Sequence, residues 1–215
     1  DKATELSEVV QSAAAEGVDV SNLLENADQA DSLLKAKKAA DEVAAQAEAT
    51  ALAAAEGSGL TADEIAQQVE EARKAAKKEV LESVAANAQN AADVATVLDS
   101  AANADADTKA ALLRNADQAS AMAETIKETA ALEQQAGTIP TEILDSIRAA
   151  GTSSSVDEIL TNYSAQNGSI PEPLQKLADS RKKSLNLITV VKQVDNKKQE
   201  AKAVLTKSLQ ASVSA

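Results

Sequence analysis

LLENADQA fills residues 23–30 and LLRNADQA fills residues 112–119, the same phrase 89 positions apart with Glu25 exchanged for Arg114. On an α-helix Leu23, Ala27, Ala30 and Leu34 share one face, and so do Leu112, Ala116, Ala119 and Ala123. Asn26 with Gln29, and Asn115 with Gln118, flank those faces. The phrase reads as a packing unit used twice, not as a ligand site used twice, because its polar letters are uncharged or singly acidic. The likeness extends upstream, where VVQSAA at 9–14 resembles VLDSAA at 97–102. VLESVAAN at 80–87, ILDSIRAAG at 143–151 and ILTNYSAQ at 159–166 are weaker echoes. The expected unit is helix, turn, helix, recurring two or three times with each apolar face covered by the next.

Alanine decides the class. Of 49 alanines, 43 lie in residues 1–150 and 6 in the last 65. Alanine has the highest helix propensity and no side-chain entropy to lose, so the fold class expected is all-α, an Ala-rich bundle or rod of long helices. Small contact residues also let helices approach closely. The chain of 215 residues is long enough for a core without disulfides or metals.

Helix ends are punctuated. Gly17, Gly57, Gly59, Gly137, Gly151 and Gly168 fall where helical patterns stop, and Pro140, Pro171 and Pro173 fall near starts. Thr61 with Glu64, Ser155 with Glu158 and Ser169 with Glu172 match capping boxes. These marks predict helices over 2–16, 21–56, 62–102, 107–136, 140–150, 156–166 and 171–212. In the third, an apolar stripe from Ile65 through Val80, Asn87 and Leu98 to Ala102 advances by about 3.7 residues per step, close to an eleven-residue repeat and so nearly straight. The organisation expected is an acidic Ala-rich body over 1–137, a connector of short helices over 138–170, and a basic C-terminal arm over 171–215.

The chemistry available is limited. Without His or Cys, the commonest metal ligands and general bases are missing. NADAD at 103–107 has the 1,3,5 oxygen spacing of a calcium loop, but Thr108 stands where Gly is wanted and Arg114 where a bidentate Glu belongs. The better reading is an Asp-capped helix start. Asp28 with Asp31, or Glu70 with Glu71, could pair carboxylates, yet acids on Ala-rich helices are usually solvated. Tyr163, the single aromatic, reads as a packing anchor. No catalytic residue, metal site or cofactor is expected, and the chain is read as a non-enzyme. The net charge of −13 and the lack of aromatic platforms argue against nucleic acid. The most apolar run, LITVV at 187–191, is too short to span a membrane.

Charge is distributed unevenly. Residues 176–215 carry nine basic and three acidic groups, and residues 1–175 carry 12 basic and 31 acidic. A basic arm on an acidic body should pack on an acidic surface, its own or a neighbour's. The preferred expectation is a structural subunit that assembles head to tail into a homo-oligomer or polymer, as a filament, sheath or surface layer. The candidate interface is Lys182, Lys183, Leu185, Ile188, Val191, Val194, Lys197, Lys198, Leu205 and Leu209. The rival is a monomeric helical-bundle module that binds a protein partner. An extracellular or cell-surface location is expected: aromatics, His, Cys and Met are scarce, and Asp1 opens the sequence as after signal-peptide removal or in a trimmed chain.

Overall fold

The computed structural model describes the backbone of residues 2–135, 137 and 139–213, and side-chain surroundings as far as residue 208. Among the described residues there are ten α-helices and no strand. They are α1 (Lys2–Ala15), α2 (Ser21–Glu25), α3 (Ala30–Ala55), α4 (Ala62–Ala86), α5 (Ala91–Ser100), α6 (Ala106–Arg114), α7 (Ala119–Gln135), α8 (Thr141–Ala149), α9 (Ser153–Asn167) and α10 (Glu172–Val213). The all-α class is as expected from the alanine content.

The three longest helices predicted for the body are each interrupted, and at the same kind of phrase. Asn26, Asn87 and Asn115 end a helix with φ between −110° and −117°. A single 3₁₀ turn follows, Ala27–Gln29, Ala88–Asn90 or Ala116–Gln118, and a new helix starts at Ala30, Ala91 or Ala119. In all three the asparagine amide donates four residues back, Asn26 to the Asn22 carbonyl at 2.8 Å, Asn87 to Ser83 at 3.0 Å and Asn115 to Ala111 at 2.8 Å. The same carbonyl also accepts the asparagine's own N–H, at 3.2, 3.1 and 3.1 Å respectively, so the side chain adds a second bond to the last helical carbonyl at each break. Helical periodicity does not register this break, because the 3₁₀ turn keeps the apolar letters on nearly the same side. The stripe over 62–102 is accordingly cut at Asn87: Val80, Leu81, Val84 and Ala85 are buried before the break, Ala88, Ala91, Val94 and Leu98 after it, and Ala102 is exposed.

Start signals fare better. Thr61 and Glu64 form a reciprocal capping box, and Asp105 caps α6 by accepting the Thr108 amide at 2.7 Å. The box expected at Ser155 is displaced, since Thr152 is the cap and accepts the Ser155 amide at 3.1 Å. Gly168 closes α9 with φ of 80°, a left-handed conformation that favours glycine, and its N–H reaches the Ser164 carbonyl at 2.7 Å.

Helices α1 to α7 enclose one apolar cluster, centred on Val9, Leu23, Leu33, Ala40, Val80, Val94 and Leu113, with Ile188 of α10 added. A second cluster joins Ile139, Ile147, Val156 and Leu160 to Leu174, Leu177, Ala178 and Leu185 of α10. α10 therefore touches both cores. α3 and α4 form an antiparallel hairpin whose base is buried in the first cluster; most residues over 45–69 near its tip are exposed, with Ala55 an exception.

Candidate assembly surface: the C-terminal helix

At 1.5 Å per residue, the 42 residues of α10 extend about 63 Å. Its first half is anchored by Leu174, Leu177 and Ala178, all fully buried, then by Leu185 and Ile188. Between them Arg181 is 8% exposed, and among the described residues no carboxylate bonds to it. Its guanidinium instead donates to the Ser100 hydroxyl at 2.7 Å, to the Arg148 and Ala150 carbonyls at 2.9 Å each, and to the Ser100 carbonyl at 3.4 Å. Ser100 ends α5, and Arg148 to Ala150 are the last turn and cap of α8. One cation thus caps two helix C-termini, each carrying roughly half a negative charge. Burial pulls the guanidinium below its ordinary pKa, with Glu133 opposing the shift.

Farther along, Asp195 is 1% exposed in a segment rich in lysine. Arg114 grips it with Nη2 at 2.6 Å and Nε at 3.1 Å, and the Asn115 amide donates to it at 3.0 Å. Lys198 donates to the Asn115 side-chain oxygen Oδ1. Arg114 also lies 3.7 Å from Glu79, which accepts from Lys202 at 2.8 Å. The second copy of the repeated phrase is therefore the clasp that holds α10 to α6 and α4. The first copy has no such role: Glu25 is exposed, Asn26 is half-buried, and Leu24 is 53% exposed where Leu113 is fully buried. The reading of the phrase as a packing unit used twice is corrected on this point, since in the second copy Arg114 and Asn115 also bind Asp195 of α10.

After this clasp α10 leaves the body. Residues 200–208 are all exposed, Val204 and Leu205 among them at 64% and 62%. Val190, Val194, Ala201 and Leu205 follow a helical spacing and lie toward solvent.

The ten candidate interface residues divide between these two regimes. Leu185 and Ile188 are buried in the chain's own cores, and Val191 packs partly against the first. Lys182 bonds Asp157 and Asp179, Lys183 lies 3.8 Å from Glu128, and Lys198 belongs to the clasp. Val194, Lys197 and Leu205 are exposed, and the side chain of Leu209 lies outside the described residues. Sequence reasoning overlooked Arg181 and Asp195. A single acid amid lysines and a single arginine between leucines were the available signals.

Beside Arg181 lies a cavity of about 400 Å³ lined by Ser100, Asn103, Asp105, Thr152, Leu185 and Lys192. Its charges already have partners. Lys192 bridges Asp105 at 3.0 Å and the Thr108 hydroxyl at 2.8 Å, Asp99 pairs with Lys35 at 2.7 Å, and Arg148 pairs with Glu133 and Asp145. Bonds from Thr108, then Lys192, lower Asp105 to about 2. Among the described residues no three His, Cys, Asp or Glu side chains gather as a metal site requires, and no helix is long and apolar enough to cross a membrane. Comparison with protein-family models, curated proteins and solved structures finds no match.

Proposed function

We propose that this chain is a structural subunit that assembles with copies of itself through the projecting end of α10. The observation that carries the reading is the exposed apolar stripe at Val204 and Leu205 on a helix whose first half is fixed in the body. A soluble monomer gains nothing from holding such a stripe several turns clear of its own core, whereas a subunit gains an anchor for a neighbour. In this reading α10 is a basic arm, and the three kinked segments of the body are copies of one helix-turn-helix unit, supported by their shared Asn-Ala-x-Gln/Asn-Ala phrase. Contact between two different surfaces, arm and body, propagates unless rotation closes it, which gives filaments, sheaths or layers. The role is non-catalytic, in keeping with a sequence that lacks His and Cys, and extracellular, in keeping with its composition.

The test is imaging and sedimentation of the intact chain at rising concentration beside a chain ending at residue 200. The proposal expects growing assemblies from the first and a folded monomer from the second. Particles of constant small size from both would refute it and favour a monomeric interaction module.

A further inference from the structure

We infer that the projecting end of α10 docks on the tip of the α3–α4 hairpin of a second copy; this rests on the assembly reading above. The exposed face of the arm needs an occupant that is apolar at its centre and negative at its rim. Residues 196–208 carry four lysines against Glu200 alone, with Lys197 and Lys207 exposed. Two arms would repel each other, so pairing arm to arm is disfavoured.

The hairpin supplies the complement. Residues 43–72 contain six acids and no base. Of these, Glu70 is tied to Arg73 at 2.8 Å, while Glu48, Glu56, Asp63 and Glu71 are exposed. The flank of the same hairpin is a mainly small-residue groove of about 380 Å³ lined by Ala47, Ala51, Ala54 and Ala72, with Asp107 and the clasp residue Arg114 also on its wall. Alanines allow a third helix to approach closely, and Leu52 adds an exposed apolar contact at 51%. The chain's own arm does not fill this groove, since residues 200–208 are exposed throughout. α10 is also one unbroken helix, which cannot fold back upon it.

Charge exchange tests the assignment on full-length protein. An arm variant, Lys197→Glu with Lys207→Glu, and a tip variant, Glu48→Lys, Glu56→Lys, Asp63→Lys and Glu71→Lys, alter exposed side chains, and circular dichroism checks that both stay folded. Each alone should need a concentration about tenfold or more above the unmodified chain to assemble. An equimolar mixture of the two should assemble again, because the acidic arm of one then meets the basic tip of the other. A control reversal at the end of α2 and in the 3₁₀ turn after it, Glu25→Lys with Asp28→Lys, should assemble normally. A tip variant that assembles like the unmodified chain, a control that loses as much, or a mixture that stays dispersed would overturn the assignment. If the chain ending at residue 200 loses assembly while the tip variant keeps it, the docking site alone is wrong; if the unmodified chain never assembles, both proposals fall.

Discussion

Arg114 stands where the first copy of the phrase has Glu25, and this one exchange turns a packing unit into a clasp for Asp195. Breaking a buried pair strands an uncompensated charge, so Arg114→Ala should destabilise by about 3 kcal/mol in urea titration, while Glu25→Ala should stay within about 0.5 kcal/mol. Replacing both partners, Arg114→Leu with Asp195→Leu, should recover much of that loss. Leu113→Asp should likewise cost about 3 kcal/mol or more and Leu24→Asp very little, because only the first is buried. Asp105 makes a pH prediction. Its folded carboxyl is lowered to about 2, below its unfolded value near 3.9. Its stabilisation is therefore complete above about pH 4 and is lost as pH falls through 2. Asp105→Ala should cost about 1 kcal/mol as a lost cap at neutral pH and much less near pH 2. The Asp105 cap was legible in the sequence because capping is local. The Arg114–Asp195 pair was not, because its partners lie 81 positions apart and nothing in either neighbourhood announces the other.

At the scale of elements, propensity and capping located the helices, and the failures have a common cause. Each long helix expected in the body is broken at an asparagine that bonds its own backbone, a contact invisible to a period of 3.6 residues but written in the letters Asn-Ala-x-Gln/Asn-Ala. The other element-scale feature beyond sequence reasoning is Arg181, whose role depends on α5 and α8 ending at the same place. Arg181→Met should leave three backbone carbonyls and a serine hydroxyl short of a donor. The expected result is a melting point several degrees lower, with faster amide exchange concentrated at the ends of α5 and α8. A uniform change along the chain would contradict a capping role.

Across the whole molecule α10 divides into a docked half and a projecting end. Leu174, Leu177, Leu185 and Ile188 each contribute on the order of 2 kcal/mol by burial, together comparable with the 5–15 kcal/mol by which ordinary domains are stable. A chain ending at residue 168 should therefore fail to fold, contrary to a reading of α10 as an arm on an independent body. A chain ending at residue 200 should melt within about 1 °C of the intact protein, since residues 201–208 are exposed and the Lys202–Glu79 pair lies at the surface. The composition of α10 was legible as a charge reversal, but the division within it was not: the same alternation of leucine, valine and lysine serves burial before residue 195 and exposure after 200.

Hydrogen exchange along α10, followed as protein concentration rises, tests the central claim most directly. In dilute protein the account predicts strong protection over residues 174–195 and rapid exchange over 201–208, where every residue is exposed and the Lys202–Glu79 pair lies at the surface. At concentrations where assemblies form, protection should appear over 201–208 while 174–195 stays unchanged. Contradiction would be exchange over 201–208 that is equally fast in dilute and assembled protein, or slow exchange there in the monomer.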